Sequence, residues 1–146
     1  MDAEDSTAGA LLGSSVTKEE LVQNTLESLK LDDLGRFQDS YVHHDELTAF
    51  KAFEGVSFDE YRRKLEAAFK NSKKAIKDQD QNVKELRLIE VEEPYFDSYE
   101  RNINVVYFNA IVQNQEGQQF KLRFSECFQL PNAIRLAGSL KMEKIE

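Results

Sequence analysis

Between Gln118 and Leu130 apolar and polar residues alternate strictly. Phe120, Leu122, Phe124, Phe128 and Leu130 fall on one parity, with Lys121, Arg123, Ser125 and Gln129 on the other. This is the period-two signature of a strand with one face in the core and one in water. Upstream, Asn104 to Gln113 places Val106, Phe108, Ala110 and Val112 on one parity and Val105, Tyr107 and Ile111 on the other, so this strand is apolar on both faces. Asn114-Gln115-Glu116-Gly117 joins the two as a hairpin, with a glycine free to take positive φ. A turn at Pro131-Asn132 sends Ile134 to Met142 back, carrying Ile134, Leu136, Leu140 and Met142 in phase. Gly138 stands in that series where a side chain is expected, and such a glycine predicts a bulge or bend and hence a curved sheet. An earlier strand is predicted over Val83 to Glu93, with a phase shift between Leu88 and Ile89 that again suggests a bulge. Pro94 ends it, and Tyr95 to Asn102 reads as the linking loop.

The first half of the chain carries helical periodicity instead. Thr17 followed by Glu20 is a capping box opening a helix to about Leu31, with Val22, Leu26 and Leu29 on one stripe. Asp32-Asp33 caps a short second helix bearing Leu34, Phe37 and Tyr41. A third short segment holds Leu47, Phe50 and Phe53 and closes at Gly55. Ser57 with Glu60 caps a long fourth helix in which Phe58, Tyr61, Leu65, Ala68, Phe69, Ser72 and Ile76 recur at spacings of three and four. Its outer face mixes Arg62, Arg63, Lys70, Lys73, Lys74 and Lys77 with Asp59, Glu66 and Asp78, the pattern of a solvated surface. Four helices followed by a four-stranded antiparallel meander predict an α+β fold, with the helices on one side of a curved sheet.

A chain of 146 residues suits one domain, taken as residues 17–146, that buries roughly two thirds of its unfolded surface. Residues 1–16 are small and acidic and read as a disordered leader, leaving open a cytoplasmic protein or an exported one whose signal has been removed. The net charge of -8 argues against a nucleic-acid partner, which would require clustered cations. Cys127 is the single cysteine, so no intrachain disulfide is available, and no apolar run is long enough to span a membrane.

The order of elements, with Leu31-Asp32-Asp33-Leu34 and Phe37 at the second helix, Gly55 closing the third and long strands such as Val105-Val106-Tyr107-Phe108-Asn109 and Lys121 to Pro131, resembles the NTF2-like superfamily. That group has a cone-shaped, cystatin-like α+β fold, and the similarity is to small bacterial domains of unassigned function. The resemblance spans about residues 17–145. It implies a pocket between the helices and the concave face of the sheet, lined here by Phe37, Tyr41, Tyr61, Phe108, Phe124, Glu126 and Phe128.

Glu126 shares the parity of Phe124 and Phe128, so alternation aims its carboxylate at the apolar side, where desolvation would raise its pKa and suit it to acid or base chemistry. The alternative is a paired carboxylate, or one turned outward by a bulge. His43-His44-Asp45-Glu46 is a second cluster, but adjacent helical residues point about 100° apart, so a helix-start role is expected rather than a metal site. Asp78, Asp80 and Asn82 imitate a calcium loop whose glycine position holds Val83 and whose final acid is Ile89, which leaves a polar helix terminus. Cys127 falls on the wetter parity with no histidine base near it in sequence. Two functions are consistent with these features. One is a non-enzymatic module that binds a small apolar ligand or pairs as a homodimer through Val105, Tyr107 and Ile111. The other is a small lyase or isomerase using Glu126. No cofactor or metal is indicated.

Overall fold

The computed structural model describes residues 17–49, 55–100 and 103–145. Helix α1 runs Lys18–Lys30, α2 Leu34–Ser40, α3 His44–Ala49 and α4 Phe58–Lys77. A 3-10 turn at Val83–Glu85 leads into β1 (Arg87–Val91), β2 (Phe96–Glu100), β3 (Ile103–Gln113), β4 (Gln119–Leu130), β5 (Ala133–Leu136) and β6 (Lys141–Lys144). The result is an α+β fold in which helices precede a strongly curled antiparallel sheet, as the hydrophobic pattern predicts. Phe50, Phe53 and residues 1–16, expected as a leader, lie outside the described residues.

Both expected capping boxes form. The Thr17 hydroxyl accepts from the Glu20 amide at 3.1 Å while the Glu20 carboxylate accepts from the Thr17 amide, and Ser57 and Glu60 repeat the exchange at the head of α4. The stripe of α4 buries Tyr61, Leu65, Ala68, Phe69, Ser72 and Ile76, and that of α1 buries Leu21, Val22, Thr25, Leu26, Ser28 and Leu29. The apolar residues of these stripes join Phe108, Ala110, Val112, Phe120, Leu122 and Phe124 from the sheet in one core.

Six strands make a sheet only four strands wide. β3 and β4 form the long central pair; β1 and β2 lie end to end along β3, and β5 and β6 end to end along β4. The meander of four strands is therefore corrected at both edges. The expected loop over Tyr95 to Asn102 contains β2, because Pro94 interrupts the edge without ending it. Glu92 donates to the Asn109 carbonyl before the proline and Tyr95 donates to the Tyr107 carbonyl after it. Likewise the expected strand Ile134 to Met142 is split at Gly138. The phase shift at Leu88 and Ile89 is the predicted bulge, since Leu88 pairs with Val112 and Glu90 with Ile111.

A second bulge lies in β4, at the residue for which an outward-turning bulge is one of the two expected readings. Val106 faces Cys127 and Phe108 faces Phe124, so one residue of β3 opposes Ser125 and Glu126 together, with Glu126 at φ +54°. The break at Gly138 stands at the same level. The Ala137 amide donates to the Glu126 carbonyl at 2.9 Å, and a Cβ on Gly138 would lie 3.3 Å from Glu126 Oε1. The two devices bend neighbouring strands at one place.

The split edge leaves the Leu140 amide without a ladder partner, and it donates instead to the buried Ser72 Oγ of α4 at 2.9 Å. Replacing Ser72 by Ala orphans that amide, so urea unfolding of Ser72→Ala is expected to show a loss of about 1–3 kcal/mol. A loss below about 0.3 kcal/mol would show that this bond does not tie α4 to the sheet.

Candidate functional site

The residues expected to line a pocket are mostly packed against each other. Phe37, Tyr41, Tyr61, Phe108 and Phe124 are all buried in the core cluster. Their rings stand 6.0 Å apart for Phe37 and Tyr41, 6.2 Å for Tyr41 and Tyr61, and 5.1 Å for Phe108 and Phe124, the last pair stacked at 9°. Phe128 is also buried, but the register sets it opposite Val105 and Arg135. Cross-strand partners share a face, so the bulge has moved Phe128 off the face of Phe124.

The same bulge matches the outward-turned alternative for Glu126 and corrects the expected face of Cys127. Glu126 occupies the extra position and is exposed, so its carboxylate does not enter the apolar interior and the acid or base role loses its geometric support. Cys127, expected on the wetter face, takes the next inward position and is fully buried, its thiol donating weakly to the Phe124 carbonyl at 3.7 Å. Burial, with Glu126 nearby, pushes its pKa well up, which leaves it an inert neutral thiol. Burial likewise pushes the Tyr41 hydroxyl up to about 12, with Tyr61 and Glu126 adding to the effect, and raises that of Tyr61.

His43 and His44 serve the start of α3. The Glu46 carboxylate accepts from the His43 amide at 2.9 Å, the Leu47 amide donates to the His43 carbonyl, and the His44 ring bonds the Val56 carbonyl through Nε2 at 2.9 Å. Asp78 caps α4 and pairs with Lys74, while Asn82 caps the 3-10 turn, so the calcium-like spacing is the polar helix terminus its missing glycine and acid imply. Sequence reasoning missed the ion pair of Glu46 with Arg135, whose Nε lies 3.1 Å from Oε1 and Nη2 3.0 Å from Oε2. Arg135 is buried, and the pair fastens α3 to β5.

The outer face of the sheet is apolar, though not where it was expected to be open. Ile111 is only 7% exposed within the single chain, and Val105 packs against the core. Tyr107 is half-buried beneath two aromatics of the β1–β2 edge, Phe96 at 5.0 Å and Tyr95 at 6.1 Å between ring centroids. Both of these are open, with Tyr95 52% and Phe96 46% exposed.

A groove of about 770 Å3 lies elsewhere, between the C-terminal ends of α1 and α4 and the segment that follows α4. Leu29, Ile76 and Val83 line its floor, and Lys30, Lys70, Lys73, Lys74, Lys77 and Lys84 surround it, with Asp32 the acid in the lining. Asp32 holds Lys73 at 2.7 Å. The spacing of Lys70, Lys73, Lys74 and Lys77 was legible as one helical face, whereas Lys30 and Lys84 join it only through the fold. Among the described residues no helix is long and apolar enough to cross a membrane, and no three His, Cys, Asp or Glu side chains converge as a metal site.

The folded state holds the Tyr41 and Cys127 protons more tightly than the unfolded chain, whose ordinary values are 10.0 and 9.0. Stability is therefore full below about pH 9 and is lost as pH rises toward about 12, the opposite sign to a paired carboxylate. Urea midpoints measured across this range should fall, and Tyr41→Phe should fall less steeply; a flat profile contradicts the assignment. At Glu126, whose backbone is left-handed, Gly is expected to match or exceed the wild-type stability while Val costs about 1–2 kcal/mol. Equal effects of the two would place the bulge elsewhere. No family model, curated protein or solved structure matches the chain.

Proposed function

We propose that this chain is a non-enzymatic interaction module that pairs with a second copy of itself through the outer face of its sheet. The observation that carries this reading is the aromatic group Tyr95, Phe96 and Tyr107, in which the two outermost rings are about half exposed on one face of a long, rigid strand pair. Large apolar side chains clustered on a sheet face are unfavourable in water and favour a covering surface. A two-fold partner suits the face because it carries charges of both signs beside the aromatics. Lys121, Arg123, Lys141 and Glu143 are register neighbours there, and Arg123 is bonded to Glu143. A two-fold axis can set such a patch against itself.

The order of a capped helix, two short helices, a long amphipathic helix and a curled sheet also supports reading the chain as NTF2-like, a fold that hosts interaction modules as well as enzymes. The geometry lends more support to the module than to a lyase or isomerase, since Glu126 faces outward and the aromatics of the interior are packed on one another.

Sedimentation equilibrium at micromolar concentration is expected to give twice the chain mass. Phe96→Asp should raise the dissociation constant about tenfold or more while leaving the circular dichroism spectrum unchanged. A wild-type monomer at these concentrations, or a dimer indifferent to Phe96→Asp, would remove the proposal.

A further inference from the structure

The lysine-rimmed groove is the strongest unassigned feature, and its chemistry narrows what could occupy it. A chain of net charge -8 collects six lysines and one aspartate around a single concavity. Asp32 compensates Lys73 at 2.7 Å, and Asp78, outside the lining, compensates Lys74 at 2.8 Å. Lys30, Lys70, Lys77 and Lys84 have no ion pair among the described residues. The C-terminal ends of α1 and α4 place partial negative charge nearby, about half a unit each, which offsets only part of this excess. Concave, low-dielectric walls concentrate the remaining field on whatever enters.

The residue types select the ligand further. Lysine acts on phosphate as a hydrated point charge, without the planar fork by which arginine fixes a single carboxylate, and the lining contains no arginine. Along α4 the cations run from Lys70 to Lys77, roughly 10 Å at 1.5 Å per residue, so several anionic groups in a row can be neutralised together. The lining also contains no aromatic residue on which a base could stack, and the net charge of -8 disfavours a long nucleic acid. A volume of about 770 Å3 suits a small molecule.

We propose that the groove between α1 and α4 is a binding site for a soluble, linear ligand carrying several phosphate groups and no aromatic ring. It is independent of the outer sheet face and stands whether or not the chain pairs there.

Isothermal titration of the full chain with inorganic tripolyphosphate tests it, with orthophosphate, a single-stranded oligonucleotide and phosphoinositide-containing vesicles as the other arms. The expected result is one tripolyphosphate per chain, bound more tightly than any other arm and weakened as salt is raised. Lys70→Gln with Lys77→Gln should weaken binding about tenfold or more, as loss of two charge contacts implies. Arg63→Gln with Lys64→Gln removes the same charge from α4 outside the groove and should leave affinity within about twofold. Absence of binding, equal weakening by the two pairs, or tighter binding of orthophosphate, oligonucleotide or vesicles would each overturn the assignment.

Discussion

The structure depends on a bend made at one level of the sheet by two adjacent strands. β4 inserts Glu126 as an extra residue while the neighbouring edge gives up its side chain at Gly138 and breaks into β5 and β6. A flat four-stranded layer would not wrap the stripe of a 20-residue helix; a bulge raises the local twist and lets it do so. The amide freed by the break then returns to α4 through Ser72, so curvature and helix docking are coupled. The bend also decides which side chains can carry chemistry, since it turns Glu126 out and Cys127 in.

Much of this fold was legible as hydrophobic period. The α4 stripe, both capping boxes, the β3–β4 hairpin, the Leu88 bulge and the bend at Gly138 follow from residues whose local preference agrees with their tertiary surroundings. The failures at Glu126 and Cys127 share a cause. Parity carries through a strand only while every residue is paired, and nothing in Ser125-Glu126-Cys127 signals that a glutamate will take left-handed backbone. The reading of Glu126 as a buried acid and of Cys127 as a wet thiol both rested on that uninterrupted count. At the edges, Pro94 read as an end because it cannot donate to a ladder, yet Glu92 and Tyr95 on either side of it both bond to β3 and the strand resumes.

The surfaces were less legible than the core, because they are assembled from distant segments. Lys30, Lys70 and Lys84 are separated by whole elements, and Glu46 and Arg135 by most of the domain. The aromatic patch illustrates the same point. Val105, Tyr107 and Ile111 looked open on their own strand, but Ile111 is buried, Val105 packs against the core and Tyr107 lies beside Tyr95 and Phe96, which carry exposed apolar area instead. A charged helical face is usually just solvated, and only the concavity between two helices distinguishes this one.

Native-state hydrogen exchange tests the coupling of α4 to the bent sheet most directly. If the bend and helix form one cooperative unit, the amides of Leu65 and Phe69 in α4 and those of Phe108, Ala110, Leu122 and Phe124 in the central strands will share the highest opening free energy, with β2 and β6 opening below it. Exchange of the α4 amides at a distinctly lower free energy than β3 and β4 would contradict the account.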